Sequence, residues 1–279
     1  MTLEKLVVLA GSGVYPRQIV ENAKAAGVKR VEVVAFRGST DRATVRAADA
    51  AKWFSIGEIA AALRFAAAGG HDGAVFAGQI SPLSLFRARF DAETKAWLRE
   101  LPVKCAHTLF QKVIAVLEGM GLKCLPASLF MDGSLPGAGT LTSRGLTEAE
   151  RADVMRALAV VRDMGVHDVG QTVMVKSGMV LAVEAFEGTN AAIRRGGRLG
   201  GKGGVVVKAA REGHDSRFDI PVVGLKTVKV MARAGATALA FEAGRLILLE
   251  REKVIRFADR KGMAIVGLET TLAPFPTRI

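Results

Sequence analysis

The stretch "KLVVLAGSGVYPRQIVENAKAAGVKRVEVVAF", residues 5–36, decides the fold class. "KLVVLA" (5–10) is a continuous apolar run of strand length. "GSG" follows, and Pro16 stands at the first position of a helical stretch that reaches about Ala26. Proline suits that place because its fixed φ fits a helix and its missing N–H has no partner there anyway. Gly27 ends the helix, and "RVEVVAF" (30–36) is a second strand. The order strand, glycine turn, helix, strand is a βαβ unit, and a βαβ unit implies a parallel sheet.

Working outward, a helix at about 57–69 and a strand "GAVFAG" (73–78) extend the pattern. "TLFQ" (108–111) has the spacing of a capping box and opens a helix through about Leu117, closed by Gly119 and Gly121. Residues 132–146, "DGSLPGAGTLTSRGL", change texture toward glycine, proline and hydroxyls and read as a linker. The expected division is therefore 1–131, a linker at 132–146, and 147–279. In the last part "TEAE" (147–150) caps a helix running to about Met164. "TVMVKSGMVLAVEA" is a hairpin turning at Ser177–Gly178, and "GVVVKAA" (204–210) is a further strand. A helix at 226–234, a strand pair around "EAGRLILL", a helix at 251–261 and a strand "MAIVGL" finish the chain. Both parts are α/β, the first Rossmann-like.

Composition narrows the function classes. Of 279 residues, 50% are apolar and 24% charged, which excludes a disordered chain. The net charge of +12 is spread evenly, +6 in residues 1–131 and +6 in the remainder, with no basic tail. A spread excess favours anionic partners such as nucleotides or phospholipid head groups. Nucleic acid is not expected, because one Tyr and two Trp leave little for base stacking and no finger or RRM signature is present. Cys105 and Cys124 are isolated, and His71, His107, His167 and His214 lack ligand spacing, so neither residue type offers a metal site. The cysteine usage suits a reducing cytosol. The first apolar run is too short for a signal peptide, and no run of about 18 apolar residues occurs. Mean hydropathy is nevertheless positive, at +0.27, which leaves apolar surface to explain.

Two regions carry candidate chemistry. Gly11, Ser12 and Gly13 offer the first two glycines of a dinucleotide fingerprint, but Pro16 occupies the third position. Arg37 at the end of the second strand could hold a 2′-phosphate, so an NADP-dependent oxidoreductase is one reading, and a tight structural turn is another. Residues 168–221 gather polar groups against an apolar background: Gln171, Lys176, Glu184, Glu187, Thr189, Asn190, Arg194, Arg195, Lys208, Arg217 and Asp219. Thr189 would cap a short helix whose first N–H groups face an anion. Arg194 and Arg195 can meet phosphate oxygens, and Lys176, Lys208 and Arg217 add cations. Glu184, Glu187 and Asp219 could hold a magnesium ion, which takes one or two carboxylates plus substrate phosphate. The competing account is a hairpin with solvated charges and a salt-bridged turn in which Arg217 pairs with Asp219.

The strings "HDVGQTVMVKSGMVLAVEAFEGTNAAIRRGG" (167–197) and "SRFDIPVVGLKT" (216–227) resemble the LpxI-type UDP-2,3-diacylglucosamine pyrophosphatases of lipid A biosynthesis. "LAGSGVYP" (9–16) and "FAGQISP" (76–82) look like the family's paired glycine turns, which brings Gln79 beside Gly11–Gly13 as a substrate-binding candidate. The resemblance implies hydrolysis of UDP-2,3-diacylglucosamine to UMP and lipid X with Mg²⁺ or Mn²⁺, the lipid lying between two domains. It implies a Gram-negative source, a cytoplasmic location and peripheral contact with the inner membrane; a homo-oligomer is left open. The family's catalytic aspartate falls on Asp219. Two positions depart from the family: Asn190 replaces an aspartate, and an amide is the weaker metal ligand, while Gln79 replaces a lysine. A non-catalytic nucleotide- or phospholipid-binding regulator stands as the alternative that Asn190 keeps open.

Overall fold

The βαβ unit forms where the sequence places it. The computed structural model describes residues 3–80, 88–101, 106–210, 213 and 215–277. Cys105 and His214 lie outside the described residues, as do the side chain of His107 and the last two residues of "FAGQISP". Strands β1 (Lys5–Ala10) and β2 (Arg30–Phe36) pair in parallel, from Lys5↔Arg30 to Ala10↔Ala35. Helix α1 (Val14–Ala25) connects them. It starts two residues before Pro16, because Gly13 at φ 94° takes the N-cap place. Proline still sits within the first turn, where no N–H is needed.

Helix α2 (Arg42–Ala47) and strand β3 (Ala50–Phe54) follow, then α3 (Ile59–Ala68) and β4 (Gly73–Ala77). The four strands make a parallel sheet in the order β3-β2-β1-β4. Strands buried on both faces must be apolar at consecutive positions, which is why Leu6 to Ala10 and Val31 to Phe36 read as nearly unbroken apolar runs. Val7, Leu9 and Val34 pack with α3 and with α5 (Ala106–Gly119), which follows α4 (Ala92–Arg99). Helix α5 begins before Thr108, so "TLFQ" lies inside the helix and does not mark its start; the expected start is corrected.

The rest of the chain builds a six-stranded sheet in the order β5-β12-β10-β8-β6-β7. Its strands are β5 (Gly139–Thr140), β6 (Thr172–Lys176), β7 (Met179–Val183), β8 (Gly204–Lys208), β10 (Ala236–Glu242) and β12 (Ala264–Leu268). The helices are α6 (Glu148–Val166), α7 (Thr189–Gly200), α8 (Leu225–Arg233) and α9 (Arg251–Arg260). Period-2 alternation assigns them to faces. Val173, Val175, Val205 and Val207 pack against Val154, Leu158 and Val161 of α6. Met174, Val206, Leu239 and Ile265 pack against Ile193 of α7, Met231 of α8 and Val254 of α9. One face of the sheet therefore carries α6 alone, and the other carries α7, α8 and α9.

The hairpin β6–β7 turns at Ser177 and Gly178, whose φ values are 50° and 76°, as expected for a primed turn. Helix α6 carries the full capping box: Thr147 accepts from the Glu150 amide, and the Glu150 carboxylate accepts from the Thr147 amide. Two expectations change. The stretch 132–146 is not a free linker, since β5 pairs antiparallel with β12. Gly267 permits this contact; a Cβ there would lie 2.2 Å from the Gly137 carbonyl oxygen. The residues "EAGRLILL" are not a strand pair. β10 ends at Glu242, and β11 (Ile247–Leu248) pairs in parallel with β9 (Val222–Val223).

The chain divides into two compact units, Met1–Met131 with Ser216–Phe218 and Pro276–Ile279, and Asp132–Asp215 with Asp219–Phe275. Among the described residues no helix is long and apolar enough to cross a membrane.

Candidate functional site

In the second unit, antiparallel pairing sets Thr172, the first residue of β6, opposite Lys208, the last of β8. The Glu184 amide donates to the Thr172 carbonyl at 2.8 Å, so Glu184 leaves β7 at the same end of the sheet. This approach needs Gly170, where a Cβ would lie 2.3 Å from the Glu184 carbonyl oxygen. Helix α7 then starts directly over these residues. Its N-cap is Gly188 at φ 78°, not Thr189; the left-handed backbone there favours glycine and shifts the threonine into the first helical position.

Thr189 thereby becomes a bridge rather than a cap. Its hydroxyl donates to Glu184 Oε1 at 2.8 Å and accepts from Lys208 Nζ at 2.8 Å, with the Thr172 hydroxyl 3.5 Å away. Lys208 is 7% exposed, and the bond to Thr189 engages one of its three donors. Glu184 Oε2 and Asn190 Oδ1 are buried acceptor atoms without a donor among the described residues. Two buried oxygens in that condition suit a hard cation or a ligand hydroxyl, because an unmatched buried acceptor is otherwise costly. One residue before Thr172, Gln171 donates through Nε2 to Asp219 Oδ1 at 2.5 Å, and the Asp219 amide donates to the Asp215 carbonyl. Gln171, Thr172, Glu184, Thr189, Asn190, Lys208 and Asp219 are thus linked by chain neighbourhood, strand register and hydrogen bonds.

Other expected site residues are directed elsewhere. Lys176 is at the opposite end of β6 and donates to the Gly200 carbonyl at 2.6 Å, capping the C-terminus of α7. Its ammonium serves a helix end at the far side from Thr172, away from the cluster at the start of α7. Arg194 and Arg195 do not act as a pair, because consecutive helical residues point about 100° apart. Arg194 lines a surface cleft with Arg198 and Arg233, while Arg195 donates to the Val183 carbonyl and to Glu187 Oε1 at 2.5 Å. That arginine holds the Glu187 carboxyl below its ordinary range and ties it to the loop. Among the described residues no group of three His, Cys, Asp or Glu is placed to hold a metal, so Glu184, Glu187 and Asp219 are not assembled as a three-carboxylate centre. Arg217 pairs with Glu118 at 2.9 Å within the first unit.

In the first unit, Gly11–Gly13 and Gln79 lie at the carboxyl ends of β1 and β4, where the crossover direction reverses. Ligands of parallel α/β sheets bind at such a switch point. This turn, however, closes on the protein. The Gly11 amide donates to Ala77 and the Ser12 amide to the Gln79 carbonyl, which also receives the Ser12 hydroxyl at 2.8 Å. The Gly13 amide donates to Asp41 Oδ2 at 2.9 Å. The Gly11, Ser12 and Gly13 amides, expected to cradle phosphate, are thus each bonded within the protein. A Cβ on Gly11 would lie 2.7 Å from the Gln79 backbone nitrogen, so close approach of two loops explains this glycine.

Thr172, Gly170 and Asp41 were not anticipated. Thr172 interrupts an otherwise apolar strand, a hydroxyl where only a partner makes burial tolerable, and that signal was available.

The class these features define is a two-unit α/β protein with a lysine- and carboxylate-bearing cluster at a helix N-terminus. The model of the LpxI N-terminal domain matches residues 5–134, and that of the LpxI C-terminal domain matches residues 137–266. The UDP-2,3-diacylglucosamine pyrophosphatase LpxI of Caulobacter vibrioides is 32% identical over 283 residues, covering 98% of this chain and all of that protein. The chain belongs to the LpxI family.

Proposed function

We propose that this protein hydrolyses the pyrophosphate of UDP-2,3-diacylglucosamine, releasing UMP and 2,3-diacylglucosamine 1-phosphate (lipid X). The activity is that named for the Caulobacter relative. The observation that carries it here is the cluster at the start of α7. There a buried ammonium is bonded through Thr189 to Glu184, Glu184 Oε2 and Asn190 Oδ1 lack donors among the described residues, and Gln171, one residue before Thr172, holds the Asp219 carboxylate. A pyrophosphate needs cations for its oxygens and a carboxylate for the attacking water, and this cluster supplies both.

Lys208 binds a phosphate oxygen with its remaining donors, and Thr189 keeps the ammonium in place. Gln171 orients the Asp219 carboxylate, whose second oxygen accepts a proton from the attacking water. Glu184 Oε2 and Asn190 Oδ1 would hold Mg²⁺ or Mn²⁺, and we assign Asp219 to the same ion as a further carboxylate. A cation bound there would offset charge growing on the bridging and equatorial phosphate oxygens. Asn190 donates no charge to that set, so Glu184 and Asp219 carry the anionic share. The substrate is an acylated lipid, and we place the protein at the cytoplasmic face of the inner membrane. The nicotinamide alternative is not favoured by the relative.

The test is incubation of purified protein with UDP-2,3-diacylglucosamine, with and without magnesium, followed by mass spectrometry for UMP and lipid X. Both products should appear, and excess EDTA should stop their release until Mg²⁺ or Mn²⁺ is restored. No product in magnesium would overturn the reading, and undiminished turnover in EDTA would remove the metal from it.

A further inference from the structure

The two faces of the six-stranded sheet differ in charge. Helix α6, alone on its face, carries Arg151, Arg156 and Arg162 against Glu148, Glu150, Asp153 and Asp163, a net −1. Helices α7, α8 and α9 on the other face carry ten Lys/Arg against Glu252 and Asp259, a net +8 in a chain whose total is +12. Strands separate these helices in sequence; within the second part of the chain, folding gathers their +8 on one face of the sheet.

We propose that the α7–α8–α9 face docks the protein on an anionic phospholipid bilayer. Three observations support this occupant. The cations border two open clefts: Arg194, Arg198 and Arg233 line one of about 470 Å³ between α7 and α8, and Lys229, Arg256 and Arg260 line a second between α8 and α9. Grooves walled by guanidinium and ammonium groups complement phosphate head groups. Leu199, at the end of α7, is 69% exposed and leaves an apolar side chain at the surface of one of these helices. Helices α7–α9 contain no Tyr or Trp and a single Phe, so the face lacks the stacking surface that single-stranded nucleic acid takes. The inference rests on the reading above only in its purpose, which is to bring the cluster at the start of α7 to a lipid substrate.

The test is sedimentation of the full chain with vesicles of phosphatidylcholine alone or of phosphatidylcholine containing phosphatidylglycerol. Wild-type protein should pellet with the anionic vesicles only, and high salt should release it. Arg198→Ala/Lys229→Ala/Arg233→Ala should lower the partition coefficient by at least about tenfold, because each surface cation contributes to such binding. Arg151→Ala/Arg156→Ala on the α6 face should not change it. Turnover of detergent-dispersed UDP-2,3-diacylglucosamine should be equal for the triple variant and wild type, while turnover of the same lipid embedded in vesicles should fall with the partition. Equal pelleting with neutral and anionic vesicles, or a triple variant that binds as wild type does, would overturn the proposal. So would tighter binding to a DNA duplex than to the vesicles. Salt-sensitive vesicle binding without turnover in detergent would leave the docking face standing and remove the hydrolase reading.

Discussion

Helices α1 and α7 both start from a glycine with positive φ, 94° at Gly13 and 78° at Gly188, just after a strand or its loop. The backbone device is the same, yet the polar groups around it are opposite in state. At the α1 turn the loop groups are matched within the protein: Asp41 takes the Gly13 amide, and Ser12 and Gln79 bond each other. Gln18 Oε1, farther along the helix, is a buried acceptor without a donor among the described residues. At α7, among the described residues, Glu184 Oε2 and Asn190 Oδ1 lack donors near the buried Lys208. A glycine-started helix is thus not a ligand site by virtue of its geometry. What distinguishes the second start is the unmatched chemistry beside a buried cation, and the proposed site rests on it.

The sharpest way to break this contrast is Asp219→Ala. If Asp219 acts on the water, its loss should lower kcat by about 10²–10⁴ with KM largely kept. Gln171 would lose its acceptor, at a cost of about 1 kcal/mol in stability. Steady-state hydrolysis and thermal unfolding on one preparation decide it. Near-wild-type turnover from folded Asp219→Ala would make Asp219 a structural partner of Gln171.

Lys208→Met is the next largest. The side chain keeps its apolar stem and loses the ammonium, so Thr189 loses a donor and the buried Glu184 carboxylate loses the cation on the other side of Thr189. Removing one partner of a buried charge pair lowers stability, so kinetics are read on the folded fraction. A charge-assisted bond to phosphate is worth about 1.5–3 kcal/mol, which predicts a fall in kcat/KM of roughly ten- to a hundredfold. A lower melting temperature with normal kcat/KM would instead mean that Lys208 serves only to hold Thr189.

A third helix start sharpens the comparison. At α6 the carboxylate of Glu150 is fully committed. It receives both arms of Arg144, at 2.8 and 2.9 Å, and the Thr147 amide. Burial alone would raise its pKa, but Arg144 and the Thr237 and Thr147 bonds bring it down to about 2. A carboxylate with a depressed folded pKa contributes stability above its unfolded value. That contribution should fade as the pH falls from about 4.5 toward 2. Glu150→Gln should cost about 2 kcal/mol at neutral pH and flatten this acid limb. An unchanged slope in urea unfolding across that range would show that Arg144 is not its source.

These helix starts also show what the sequence can and cannot tell. The "TEAE" capping box was legible because its partners are three residues apart. The βαβ unit and the Ser177–Gly178 hairpin were legible because apolar period and turn chemistry are local. The committed state of Gly13 was not, since Asp41 lies on another loop, and neither was the pairing of Arg217 with Glu118, almost a hundred residues away. β3 was missed because "AAKWF" mixes exposed and buried positions at a sheet edge. Thr189 was placed one position off because glycine at 188 outcompetes a side-chain cap once the backbone turns left-handed. Of the carboxylates named from sequence, Glu187 is engaged by Arg195, a partner that the helix turns toward it while Arg194 points elsewhere.

The smallest predicted effect tests the closed half of the comparison. Asp41→Ala removes the acceptor of the Gly13 amide in an exposed loop, where water can replace it. Loss of a capping acceptor costs about 0.5–2 kcal/mol, and exposure places this one toward the lower end. If the α1 start is structural, kcat and KM for UDP-2,3-diacylglucosamine should stay within about twofold of wild type while the melting temperature falls by a few degrees. If the Gly13 amide instead leaves Asp41 to meet substrate phosphate, removing its competitor should lower KM, and the stability loss should be recovered by adding UMP. Differential scanning calorimetry with and without UMP, beside steady-state kinetics, separates the two. A KM that drops several-fold would show that the first helix start is a ligand site held shut by Asp41, and the distinction between the two helices would then be one of occupancy rather than of kind.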